Sequence, residues 1–369
     1  MDQKTKVAPT LDQKRPLPST PILCSIKNTL LRYEAELSGS VVLSVVVYHL
    51  LGNPLASQFL HVSHQVGQNE YDKGFEDAYF VFFWTIMFTF LRAAFIKYIY
   101  LPLSSYFNIG VASKRQRVAE QSYILAYYVA FGSAGLYIMY NSPHWFNTSQ
   151  FWIDYPHVLI SSDMKKYYLM QLAFWIQQIY GLHIEKRRKD HVAMLSHHII
   201  TIILVGTSYI ANLTRVGNAV LCCMDLCDIF LSLAKILKYL GFTNVCNIAF
   251  GLFAISWPIT RHIFFSIVTW SVAVEPARYF DMEWEPSQGK YFTAKTQRGF
   301  VALLLALNLI MFYWFLMIVK VIARLFTGNE IDDTRSDDED ESDVDSDEFQ
   351  RNSEVRPDQE KKRSPHNKK

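Results

Sequence analysis

Cysteine is scarce in this chain and poorly spaced for holding structure together. Cys24, Cys222, Cys223, Cys227 and Cys246 make an odd number without zinc-type spacing. That argues against a disulfide framework and against a zinc module. A cleavable leader is not expected either, and the first span is read as uncleaved. The first apolar run begins near Val41, behind Lys4, Lys6, Lys14 and Arg15, too far in for a secretory signal peptide. Spaced histidine boxes, the usual mark of a metal-dependent lipid hydroxylase, are lacking too.

Net charge is small, +2 from 36 basic and 34 acidic residues, and mean hydropathy is near zero. The average conceals polar ends around an apolar middle. Half of the residues are hydrophobic and 15% aromatic. Several runs between Val41 and Leu325 approach the ~20 apolar residues that cross a bilayer. Hydropathy places eight spans at about 38–58, 78–100, 121–140, 165–183, 191–212, 216–238, 246–270 and 299–323. Seven is the alternative, because Gly52, Asn53 and Pro54 break the first run. Gln171, Gln177 and Gln178 soften the fourth. The expected fold is an all-α polytopic membrane protein. Its parts are a cytosolic tail (1–37), two helices (38–113), a six-helix domain with the active site (114–325) and a disordered acidic tail (326–369).

Basic residues set the orientation. Lys114, Arg115 and Arg117, then Lys186, Arg187, Arg188 and Lys189, then Lys235 and Lys238, then Lys320 and Arg324, all fall on one side of an eight-span chain. Both termini are therefore expected in the cytosol. Of two glycosylation sequons on the other side, Asn147-Thr148-Ser149 sits in a loop and is a candidate acceptor. Asn212-Leu213-Thr214 abuts the membrane and is not. Residues 332–348 hold eleven acidic residues and one arginine, a composition that stays disordered. Ser336 and Ser342 each have an acidic residue three positions on, and Ser346 lies in the same run. The three are candidate phosphorylation sites.

Ionisable side chains at membrane depth are costly and mark function. His197 and His198 lie about 10 Å into the fifth span, at 1.5 Å per residue. Asp225 and Asp228 lie in the sixth, three residues apart and so on one face. Running in opposite directions, the two spans bring imidazoles and carboxylates to similar depth, in the cytosolic half. A carboxylate beside a histidine fixes its tautomer and steadies the imidazolium. Such a histidine deprotonates a nucleophile or becomes acylated itself. Adjacent histidines point about 100° apart on a helix, so both rarely reach one ion, and no metal is expected. The bland alternative is polar glue between helices. The basic loop 186–189 suits a phosphate-rich headgroup, and the apolar bundle suits a hydrocarbon chain. Together they describe a lipid acyltransferase with a soluble acyl donor.

The segment from Glu185 to Leu240 resembles the Lag motif of ceramide synthases, in the TLC-domain family. The resemblance rests on His197-His198, Ser208-Tyr209 followed by Asn212, Arg215-x-Gly217, and Asp225…Asp228 leading into Ser232-x-x-Lys235. Tyr167, Tyr168, Gln171, Trp175, Trp257 and Arg261 are similar to the family as well, and the likeness covers about 114–325. Met224 stands where animal members usually have histidine, which resembles the fungal branch, as does the acidic tail. The resemblance implies N-acylation of a sphingoid base by fatty acyl-CoA in the endoplasmic reticulum membrane. Acyl-CoA enters as substrate, and no cofactor or nucleic acid is implied. It makes His197, His198, Asp225 and Asp228 catalytic, Asn212, Arg215 and Arg261 supporting. It also implies as partners a paralogous subunit or second copy and a small single-pass accessory subunit. The alternative is a non-enzymatic relative, lipid-sensing or translocon-associated. Such relatives generally lack the His-His and Asp…Asp set.

Overall fold

The computed structural model describes residues 29, 31–107, 109, 111–184 and 189–326. The tail serines Ser336, Ser342 and Ser346, and Lys186, Arg187 and Arg188 of the basic loop, lie outside them. The described chain is helical, with isolated β-bridges but no strand. Five of its helices are long and apolar enough to cross a membrane: Asp77–Tyr106, Ala112–Tyr140, His191–Ile210, Thr243–Val274 and Ala294–Leu325.

The first predicted span, 38–58, is not a single helix. Helix α1 (Glu34–Leu50) stops where Gly52 takes a φ of +82°, a conformation that glycine adopts without strain. Asn53 then accepts the Leu55 N–H at 2.9 Å, with Pro54 at the first helical position, and starts α2 (Pro54–Leu60). Helix α3 (Asp77–Tyr106) and α4 (Ala112–Tyr140) follow. Next come α5 (Ser162–Ile184), α6 (His191–Ile210) and α7 (Thr214–Tyr239). The last two are α8 (Thr243–Val274) and α9 (Ala294–Phe326). Helices α5 and α7 have the length of a span but carry too many polar residues for an apolar window. Six of their polar residues face inward: Lys165, Gln171, Gln177, Asn218, Asp225 and Ser232 are all buried.

Two prolines shape the long helices. Pro102 and Pro258 each lack the N–H that would bond one turn back. The helix widens into a π turn beside each, at Ile96–Tyr100 and Pro258–Phe264. The second widening brings Arg261 into the bundle, where it is 4% exposed. The outer faces are apolar: Ile248, Leu252 and Ile255 on α8, and Leu305, Leu309 and Leu316 on α9, are exposed. Surfaces of this kind suit lipid.

Helices α4 and α7 pack closely because α4 carries glycine where α7 approaches. A Cβ at Gly132 would lie 3.6 Å from that of Asp225, and one at Gly135 would lie 3.1 Å from the Cys222 sulfur. Cys222, Cys227 and Cys246 are buried and free, as small residues between helices should be.

The two ends of the bundle differ. At one, α6 begins and α7 ends, beside Lys114, Arg115 and Lys238; this is the basic end. The opposite end is closed by the segments 61–76, 142–161 and 275–293. Buried Lys165 pairs with Asp77 at 2.7 Å and donates to the carbonyls of Ser63 at 2.8 Å and Asp72 at 2.6 Å. The Tyr209 hydroxyl donates to the other Asp77 oxygen at 2.8 Å. Lys73 donates to the carbonyls of His157 and Val158 and to Asn212, whose amide donates to Gly289 O at 2.8 Å. Trp152 shares its indole N–H between Ser271 and Glu275 and packs against Phe280 and Phe292.

Candidate active site

The imidazoles are held by tryptophan. On α6, His197 and His198 are 8% and 4% exposed, their rings 5.6 Å apart. Trp175 of α5 meets both edge to face, at 5.2 and 5.4 Å, and Trp314 of α9 meets His197 at 5.5 Å. Both Nδ1 atoms are enclosed, with no hydrogen-bond partner among the described residues.

Two cavities meet at this point. One, of about 190 Å³, has mixed walls that include both histidines, Asp228, Arg261, Ser232 and Gln121. The second, of about 40 Å³, is almost wholly apolar, with Leu204, Val205, Val272, Phe300, Leu304 and Leu307 in its walls. His197, Trp175 and Met224 belong to both. The apolar cavity runs along α6 from His197 to Ser208, eleven residues or ~16 Å at the helical rise. That is about half of the ~30 Å hydrocarbon thickness.

The two aspartates do not share a surrounding. Asp228 lines the polar cavity and pairs with Arg261 at 2.7 Å. The same guanidinium donates to Met224 O at 2.7 Å and lies 4.1 Å from the centre of the Trp257 ring. Tyr128 of α4 stands beside Asp228 on the cavity wall. Asp225, one turn away and 1% exposed, lines neither cavity. It accepts the Gln171 amide at 3.0 Å, and Gln171 in turn accepts the Tyr127 hydroxyl at 2.8 Å. Among the described residues, neither aspartate is hydrogen-bonded to a histidine. The imidazoles and Asp228 thus face one space, while Asp225 sits behind the wall.

The supporting residues separate as well. Arg261 is part of the cavity wall. Asn212 and Arg215 are not: Asn212 belongs to the closed end, and Arg215 donates to Gln150 O at 2.7 Å there. Fifteen residues along the chain from His197, at a helix end, Asn212 lies in the closure and lines neither cavity. With Asn212 and Thr214 at 4% and 1% exposure, that sequon is buried, whereas Asn147 is exposed. Lys189 is at the turn that leads into α6. Sequence reasoning missed Trp314, Tyr128 and Phe300. In apolar helices rich in aromatic residues, nothing marks which rings turn inward.

The TLC-domain profile, which groups TRAM, LAG1 and CLN8 proteins, matches residues 117–320. Sphingosine N-acyltransferase lag1 of Schizosaccharomyces pombe is 42% identical over 291 residues, spanning 78% of this chain and 74% of that protein. Sphingosine N-acyltransferase lac1 of the same yeast is 38% identical, over 74% of this chain and 71% of its own length. Ceramide synthase LAG1 of Saccharomyces cerevisiae is 36% identical, over 80% and 74%. The chain belongs to the TLC-domain family, in its ceramide synthase branch.

Proposed function

We infer that this protein is a ceramide synthase: it transfers a fatty acyl group from acyl-CoA to the amine of a sphingoid base, in the endoplasmic reticulum membrane. The observation that carries the reading is the position of His197 where a polar and an apolar cavity meet. An acyl thioester is itself a junction, apolar on one side of the carbonyl and polar on the other. With the first methylenes of the chain in the apolar cavity, whose walls part to admit the rest, its carbonyl lies at the imidazole and its sulfur faces the polar cavity.

In the reaction the amine nitrogen attacks the carbonyl carbon, the carbon–sulfur bond breaks, and one proton passes from nitrogen to the thiolate of CoA. His197 is the group that relays this proton as general base, or that carries the acyl group in passing as nucleophile. His198 partners it, and Asp228, oriented by Arg261, faces the incoming amine. Asp225 acts through Gln171, which fixes α5 and hence Trp175 against the imidazoles. The reaction so written draws on no cofactor.

We read α1 with α2, and each of α3 to α9, as eight crossings, with the basic end and both chain termini in the cytosol. The basic loop, Lys186 to Lys189, then lies where the CoA headgroup arrives and leaves, and Asn147 faces the lumen as a glycosylation acceptor. The acidic tail, with Ser336, Ser342 and Ser346, is a cytosolic phosphorylation target. The likeness to fungal members extends the proposal to a second catalytic subunit and a small single-pass accessory subunit.

The test is acyl transfer to a long-chain base in microsomes that lack endogenous activity. The wild type forms ceramide, and His197→Ala and His198→Ala do not. Undiminished activity in both variants contradicts the reading. Mass spectrometry of the ceramides formed gives chain length and base preference.

A further inference from the structure

The wall of the polar cavity carries polar side chains that the chemistry above leaves unused. Ser232 of α7 is 3% exposed and lines the cavity, yet its hydroxyl makes no hydrogen bond with any described residue. A serine within a helix usually bonds back to the preceding turn, and Ser38, Ser104 and Ser122 do so here. Gln121 of α4 also lines the cavity, and its carboxamide has no partner among the described residues. Gln178 of α5 donates to Gln177 at 3.1 Å, which leaves its own carbonyl oxygen to the cavity. One hydroxyl and two carboxamides from three helices therefore face the same space.

Their heights follow from helix register. Gly132 and Gly135 stand level with Asp225 and Cys222, so Tyr128 stands level with Asp228 and Gln121 with Lys235. Ser232 is four residues nearer the basic end than Asp228, ~6 Å at the helical rise. Gln178 is three residues beyond Trp175, the ring that touches both histidines, ~4.5 Å. Gln121 is seven residues beyond Tyr128, ~10 Å. The unused groups thus rise in steps from the imidazoles towards the basic end.

Resting on the acyl-CoA reading, we propose that Gln178, Ser232 and Gln121 form a ladder that grips the pantetheine arm of the acyl donor. The arm has an amide two methylenes from sulfur and another two methylenes beyond the first amide carbonyl. Extended chain covers about 3.8 Å per three bonds, which puts the amides about 4 Å and about 9 Å from sulfur. With sulfur at the imidazoles, the first amide lies between Gln178 and Ser232 and the second at Gln121. Carboxamides pair with amides as donor and acceptor at once. The head of a sphingoid base, with its hydroxyls next to the amine, is too short to reach from Asp228 to Gln121. Thus Gln121 reads the donor and not the acceptor.

The experiment compares full-length wild type with Gln121→Ala, Gln121→Asn and Ser232→Ala, using three donors of one acyl chain: the CoA thioester, the pantetheine thioester and the methyl thioester. In Gln121→Ala and Ser232→Ala the KM for acyl-CoA rises about tenfold, the loss of one hydrogen bond from an enclosed site. The KM for the base and the melting temperature stay as in wild type. Gln121→Asn falls between wild type and Gln121→Ala. The difference from wild type persists with the pantetheine thioester and disappears with the methyl thioester. A raised KM for the base, or a difference that survives with the methyl thioester, overturns the ladder while leaving acyl transfer standing. A wild type that transfers from none of the donors overturns the acyl-transfer reading and the ladder with it.

Discussion

The buried ammonium groups at one end of the bundle and the polar groups of the cavity towards the other are treated in opposite ways. At the closed end the ammonium groups are saturated: Lys165 has a carboxylate and two carbonyls, Lys73 two carbonyls and an amide. Towards the basic end, the cavity wall holds imidazole Nδ1 atoms, the Ser232 hydroxyl and the Gln121 carboxamide without hydrogen-bond partners among the described residues, and a Gln178 carbonyl oxygen left open. An unsatisfied buried group costs stability. A fold that saturates the buried ammonium groups of one end and leaves hydrogen-bonding groups open along the cavity of the other is stable at the first and prepared for a ligand at the second. Substitutions at the closed end should therefore lower stability and leave the kinetics of surviving molecules alone. Those at the cavity should do the reverse.

The largest break in that contrast is expected from Lys165→Ala. It leaves Asp77 buried and uncompensated, a loss of about 3–5 kcal/mol, to be seen as a steep fall in melting temperature or as failure to accumulate. Asp228→Asn should act on both. It keeps the shape, removes the charge facing the amine and lowers kcat/KM about a hundredfold, and by leaving the buried Arg261 guanidinium without its counter-charge it also lowers the melting temperature. Gly217→Ala tests the apolar cavity, where an added Cβ would lie 1.7 Å from the Tyr168 hydroxyl. Such overpacking costs about 1–3 kcal/mol, and Tyr168→Phe in the same chain should recover only part of the melting temperature, because two ring carbons would still lie 2.6 and 2.9 Å from the new Cβ. Asp225→Asn sharpens the division between the aspartates. An amide oxygen still accepts from Gln171, so activity should stay within about threefold of wild type. A loss equal to that of Asp228→Asn would put Asp225 in the chemistry.

The smallest effect concerns pH. His157, in a loop at the closed end, has its pKa pushed down to about 4, first by burial and then by Arg215. The folded protein keeps this ring neutral, whereas the unfolded chain takes a proton near pH 6.5. Stability from this group is complete above pH 6.5 and declines as pH falls towards 4. Melting curves of His157→Gln between pH 7 and 4.5 should be flatter than those of wild type.

Much of this arrangement could be read in the sequence. Apolar runs bounded by basic loops located the long helices, and Asn53-Pro54 marked the break that splits 38–58. His197, His198 and Asp228 could be placed near one another because helical rise fixes depth along α6 and α7. Register says which residues share a helix face, but not which neighbour fills the space before it. Hence Gln171, from a third helix, intercepts Asp225, although spacing puts that carboxylate beside Asp228. Trp314 reaches His197 from more than a hundred residues away, a contact that no local pattern records. The closed end was invisible for the same reason, because Lys73, Asn212 and Gly289 meet only when the loops close.

The most direct measurement is ceramide formation by purified wild type and His197→Ala, with melting temperature recorded for both. With His197 as the group at which the acyl chain changes hands, the variant melts as the wild type does, and its turnover falls by at least about a hundredfold. A variant that melts normally and turns over at the wild-type rate would place the transfer elsewhere in the molecule.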